Sequence, residues 1–87
     1  MYYHVRIEYL NKKLKGIQTK YGYDYANVND VMNDVLVPYV SGKGFIFQGC
    51  SMIADDVNQI RVFQTEDLIE RTVAYANEKE PNNFFCL

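Results

Sequence analysis

Tyr3, Val5, Ile7 and Tyr9 alternate with His4, Arg6 and Glu8, a period of two that predicts a strand with one apolar and one polar face. A basic, turn-like bend covers Asn11 to Gly16. The alternation then resumes as Ile17, Thr19, Tyr21, Tyr23 and Tyr25 against Gln18, Lys20, Gly22 and Asp24, which predicts the second strand of a hairpin. Setting Tyr9 opposite Thr19 makes outward pairs of Glu8 with Lys20 and His4 with Asp24, each worth ~0.2–1 kcal/mol. A two-residue shift opposes Arg6 to Lys20 and is disfavoured. In the preferred register the odd-numbered tyrosines lie on the core side with Ile17.

The spacing changes after Ala26. Val31, Val35 and Leu36 fall at helical intervals, Asn27 or Asn29 is placed to cap the first amides, and Pro38 predicts a stop near Val37. Phe45 to Phe47 then reads as a short strand, Gly49 and Cys50 as a turn, and Ser51 to Ile53 as a brief return. Ile60 to Gln64 reads as another strand, with Arg61 and Phe63 opposite in face to Ile60 and Val62. Leu68, Ile69, Val73 and Ala76 predict a helix from Thr65 or Glu66 to about Lys79, ahead of Pro81, with acids in its first turn. The predicted fold is α+β: a small antiparallel or mixed sheet in the order ββαββα, with the helices on one face. Residues 1–80 are read as a single domain and 81–87 as a tail or linker stub.

Composition narrows the function classes. Eighty-seven residues are near the lower limit for one unassisted core, and eight Tyr with five Phe supply large buried areas. Nine Lys plus Arg against eleven Asp plus Glu give a formal charge of -2, which supplies no field for a polyanion, so nucleic acid is disfavoured as a partner. Cys50 and Cys86 are far apart and lack metal-ligand spacing, which predicts no metal site, no disulfide framework and a reducing cytoplasm. Met1 to Leu10 alternates in polarity without the apolar core of a signal peptide, and no run of about 20 apolar residues occurs in the sequence, so no membrane association is expected.

"VSGKGF", residues 40–45, raises the question of a phosphate loop. The required preceding glycine and following Ser or Thr are replaced by Val37 and Gly44, and the stretch leads from helix to strand rather than the reverse. A helix-ending turn with Gly42 or Gly44 at positive φ is the expectation. "TKYGYDY" beside Lys12, Lys13, Lys15 and Lys20 combines aromatics with cations, but its parity assigns the tyrosines to the core. His4 with Asp24 lacks a nucleophile and is read as an exposed cross-strand pair. Asp55 and Asp56 lack calcium-loop spacing, and Cys50 is read as a bystander thiol. No catalytic residue, cofactor or metal is assigned, and the chain is not expected to be an enzyme. The polar face of the sheet, carrying the even-numbered His4, Arg6 and Lys20 together with Arg61, is the candidate binding surface, suited to a protein partner, to self-association or to a small anionic ligand.

Three stretches carry a resemblance: "YHVRI" at 3–7, "PYVSG" at 38–42 and "GCSMIADDVNQIRVFQT" at 49–65. Tyr3 to Arg6, Pro38, Tyr39, Gly42, Gly49, Ile53, Asp55, Asp56, Ile60, Arg61, Val62 and Thr65 make the pattern similar to an N-terminal accessory module of bacterial multidomain antiphage effectors. That module precedes TIR-like, predicted nucleotide-binding or nuclease domains. The bend "NKKLKG", the tyrosine ladder and the stretch beyond Thr65 fall outside the likeness. The resemblance implies a non-catalytic sensing, recruiting or oligomerising role in antiviral defence, with the chemistry in another domain. A free-standing phage-encoded inhibitor of a host defence protein is the alternative expectation from length and acidity.

Overall fold

The structure is a computed structural model that describes residues 1–69 and 83–86. Strands β1 (Tyr2–Asn11), β2 (Gly16–Tyr25), β5 (Val57–Thr65) and β6 (Asn83–Cys86) form one antiparallel sheet in the order β2-β1-β5-β6. A second, two-stranded sheet is the hairpin of β3 (Phe45–Phe47) and β4 (Cys50–Met52). One helix, α1, covers residues 28–40. The order ββαββα with several helices is therefore corrected: the molecule is mostly sheet, with one helix and two sheets among the described residues.

The terminal helix was expected to begin at Thr65 or Glu66. Thr65 instead ends β5 opposite Tyr2, its hydroxyl bonded to the His4 ring and to the Asp67 backbone carbonyl, and the body of that expected helix lies outside the described residues. Within the expected tail 81–87, Asn83–Cys86 pairs with β5 as β6 and so belongs to the sheet.

Val5, Ile7 and Tyr9 of β1 and Val57, Ile60 and Val62 of β5 form the floor of the core. Val31, Val35 and Leu36 of α1 and Phe45, Phe47 and Met52 of the hairpin cover it. Each such side chain contributes roughly 1.5–3 kcal/mol when fully buried. The helical spacing of 31, 35 and 36 is thus the spacing of the residues that bury.

The β1–β2 register departs from the expected one. Tyr3 faces Tyr25 as anticipated, but two residues further along β1 Val5 faces Gly22, three residues back on β2. The extra residue is a β-bulge, and Asp24 within it takes the positive angle φ 66°. From there on every pairing is slipped by one: Tyr9 faces Gln18 and Glu8 faces Thr19. Because side chains alternate, this slip turns Gly22, Lys20 and Gln18 to the core side and sends Ile17, Thr19, Tyr21 and Tyr23 outward. The predicted pair of Glu8 with Lys20 is absent for that reason. Gly22 is needed where it falls, since a Cβ there would stand 2.9 Å from Cζ of Phe47 and 2.9 Å from Nε2 of Gln48.

Helix α1 starts at Asn27, whose side chain accepts from the Asn29 amide at 2.9 Å. It does not stop before Pro38. The segment Met32–Leu36 widens to a π turn in which the Val37 N–H donates to the Met32 carbonyl, and Val37–Val40 continues as α-helix. The wider turn lies where a regular helix would press the proline ring against the Asp34 carbonyl. At the end, the Gly42 amide donates to Tyr39 (3.0 Å) and the Lys43 amide to Pro38 (2.9 Å), with Gly42 at φ 74°. Both bonds together are a Schellman cap, so "VSGKGF" is the helix-ending turn the sequence predicts. The β3–β4 turn falls on Gln48 (φ 50°) and Gly49 (φ 74°), one residue earlier than expected, because a two-residue hairpin turn of this hand needs positive φ at both positions.

Gly22→Ala is expected to cost about 1–3 kcal/mol by overpacking against Phe47. Urea unfolding reads this, and an unchanged midpoint contradicts the close approach of β3 to β2.

Candidate functional site

His4 is fully buried. Its Nδ1 accepts from the backbone N–H of Asp24 at 3.0 Å, and the bulge aims that N–H at the ring. With Nδ1 accepting, the proton is on Nε2, which donates to Thr65 Oγ1 at 2.7 Å. The Thr65 hydroxyl then donates to the Asp67 carbonyl at 2.6 Å. The Asp24 carboxylate, 3.8 Å from Nδ1, accepts from the Ile69 N–H at 2.9 Å. Phe63 and Tyr23 flank the imidazole, with ring centroids 5.1 and 5.9 Å away. One ring thus ties β1, the β2 bulge and the turn after β5.

This arrangement corrects the expectation of an exposed His4–Asp24 pair. The two residues are adjacent, but the turn 66–69 closes over the outer face at this end, and Phe63, Thr65 and Ile69 are buried with His4. Both imidazole nitrogens are occupied by structural partners, so His4 belongs to the scaffold behind the candidate surface. Burial pushes its pKa below the ordinary 6.5, against a smaller upward pull from Asp24.

Arg6 and Arg61 stand directly opposite on β1 and β5, on the face away from the main core. Arg6 Nη1 donates to Gln59 Oε1 at 3.5 Å. Across β1 on the other side, Arg6 faces Tyr21, whose ring stacks on Tyr23 at 5.3 Å and 18°. Tyr21 and Tyr23 are 41% and 40% exposed. Lys20, expected on this surface, is on the opposite side of the sheet, where its Nζ donates to the Gln48 carbonyl at 3.3 Å. The structure therefore brings together Arg6 and Arg61, buries His4 two residues along the same face opposite Phe63, and removes Lys20. It adds Tyr21 and Tyr23, which sequence parity had assigned to the core. The signal that marks them is Gly22: a glycine inside a strand indicates a bulge or a close backbone approach.

The remaining candidates resolve as structural parts. Lys12 Nζ pairs with Asp56 Oδ2 at 3.4 Å, which holds the β1–β2 bend to the 3-10 turn Ala54–Asp56, and Asp55 is exposed. Asn11 Oδ1 accepts from the Lys13 and Leu14 amides and shapes the bend. Cys50 is half-buried, its thiol 3.9 Å from the Tyr9 hydroxyl, beside a groove of about 470 Å³ that Lys12, Lys13 and Met52 also line. Burial, and then the neighbouring thiol, push the Tyr9 hydroxyl pKa up. Among the described residues there is no group of three or more His, Cys, Asp or Glu that could hold a metal, and no helix long and apolar enough to cross a membrane.

Compared with protein-family models, with curated proteins and with solved structures, the chain finds no match in any of the three.

The His4 pKa has a signed consequence for stability. Because the folded value is depressed, the unfolded chain binds more protons just below pH 6.5, so stability falls as the pH drops through that value and levels off below the folded pKa. The limiting slope from this one group is about 1.4 kcal/mol per pH unit. Urea unfolding from pH 7.5 downward should show it, and His4→Phe should flatten the same window. A wild-type profile that is level from pH 7.5 to 5.5 would rule out the buried neutral ring.

Proposed function

We propose that this chain is a non-catalytic recognition and assembly module of a bacterial antiphage protein. The observation that carries the reading is the composition of the outer sheet face: two arginines side by side, bordered by two stacked, half-exposed tyrosines, on a rigid antiparallel floor. Arginine and tyrosine are the residue types that dominate binding energy at protein interfaces. Guanidinium groups take carboxylates or phosphates two hydrogen bonds at a time, so the surface suits an acidic protein patch or a small anion.

The scaffold supports the same reading. The one histidine is buried with both nitrogens hydrogen-bonded. The defence context comes from the likeness of Tyr3 to Arg6, Pro38 to Gly42 and Gly49 to Thr65 to accessory modules of antiphage effectors. In that role the module contacts a partner and a separate domain carries out the reaction.

The test uses the natural gene product containing this sequence, expressed in bacteria challenged with phage. Hot-spot losses of about 2 kcal/mol or more are expected when such arginines are replaced. Arg6→Glu combined with Arg61→Glu should abolish protection while the melting temperature holds. Full protection by the folded double variant would overturn the proposal.

A further inference from the structure

Strand β2 is the outermost strand of the four-stranded sheet, and it is ten residues long. Its outward backbone edge has no strand partner among the described residues. Proteins shield such edges with short strands, prolines, bulges or charges, because an open edge is a template for another strand. The irregular residues flank the strand's regular stretch: Lys15, just before β2 in the bend, at φ 52° and Asp24 in the bulge at φ 66°. The regular stretch between them carries Ile17, 52% exposed, and Tyr21 on the outer face, with the exposed Leu10 of β1 directly across from Ile17.

We infer that this edge is the interface between two copies of the chain: β2 pairs antiparallel with β2 of a second copy about a two-fold axis at Thr19, joining two four-stranded sheets into one. The residues select the register. An axis at Lys20 sets the two Lys20 ammonium groups opposite each other, which is unfavourable. An axis at Tyr21 opposes Gln18 to Asp24 and draws the bulge into the ladder, and an axis nearer the bend shortens it. The axis at Thr19 uses residues 16–22, all within the regular stretch. It sets Ile17 against Tyr21 of the second copy and Gln18 against Lys20, with no like charges opposed. A stretch complementary to itself under two-fold rotation makes a closed, isologous contact, which is why the occupant is a second copy rather than a foreign strand.

This inference rests on the assembly part of the function proposed above, and its test separates the two. Light scattering after size exclusion should give twice the monomer mass for the wild-type chain. Thr19→Lys alone and Thr19→Glu alone, each placing like charges on the axis, should give the monomer mass with unchanged circular dichroism, and an equal mixture should recover the dimer. A monomeric wild type, or a Thr19→Lys chain as dimeric as the wild type, overturns the pairing. If either variant unfolds, amide exchange of wild-type β2 decides: protection that falls on dilution supports the dimer, and protection independent of concentration overturns it. A stable dimer alongside full phage protection by the Arg6/Arg61 variant would leave the edge pairing standing and remove the recognition reading. A monomer alongside lost protection would do the reverse.

Discussion

A neutral imidazole sealed from water must satisfy both ring nitrogens, and His4 does so because β2 holds one residue more than β1 at the point where they meet. The bulge at Asp24 turns a backbone N–H out of the ladder and into the ring. The same aspartate then receives the Ile69 amide through its carboxylate. The sheet edge, its neighbour and the turn after β5 are therefore held by one polar cluster with little freedom to rearrange. Protonation of the ring at Nδ1 would remove the acceptor of the Asp24 N–H, and burial holds the imidazole neutral against the smaller upward pull of the Asp24 carboxylate.

The division of the sheet into two faces follows from that extra residue. Past the bulge, β2 offers the core only Gly22, Lys20 and Gln18, so apart from Tyr25 at the end of β2 the apolar floor is made by β1 and β5. Phe47 can then lie against the glycine, and Lys20 extends its chain along the hairpin and places its ammonium on the Gln48 carbonyl. The tyrosines that a bulge-free hairpin would bury are turned out beside Arg6. The exposed surface of Arg6, Tyr21 and Tyr23 is, in this sense, the reverse side of a packing requirement at Gly22.

The opposite layer shows a second local rule absorbed by its surroundings. Pro38 lacks the donor that a helix needs, yet the chain remains helical to Val40 because the preceding turn opens to a π turn. The continuation carries the chain to a Schellman cap at Gly42 and delivers Phe45 and Phe47 to the core. The amide of Lys43, which a phosphate loop would turn toward a ligand, is engaged by the Pro38 carbonyl. The structural role of "VSGKGF" is thereby accounted for by helix termination.

Much of the local structure was legible from residue order. Alternation over Tyr3 to Tyr9 marked β1 and its inner face, helical spacing marked Val31, Val35 and Leu36, and the faces of Ile60, Arg61 and Val62 came out as the period requires. These are properties of a strand or helix considered alone, set by two-fold or 3.6-fold geometry. The register between strands is not, because it depends on whether one residue is skipped, and a single skip exchanges every inward and outward side chain. Gly22 and the Asp24–His4 contact decide that skip, and they become neighbours only when β1, β2 and the turn after β5 are folded together. So the sequence by itself determined where β1, β2 and β3 lie, where α1 begins and which face of β1 is apolar. Only the tertiary structure decided that His4 is buried, that Lys20 leaves the surface and that Tyr21 and Tyr23 join it, since a polar ring's cost of burial is met by partners far along the chain.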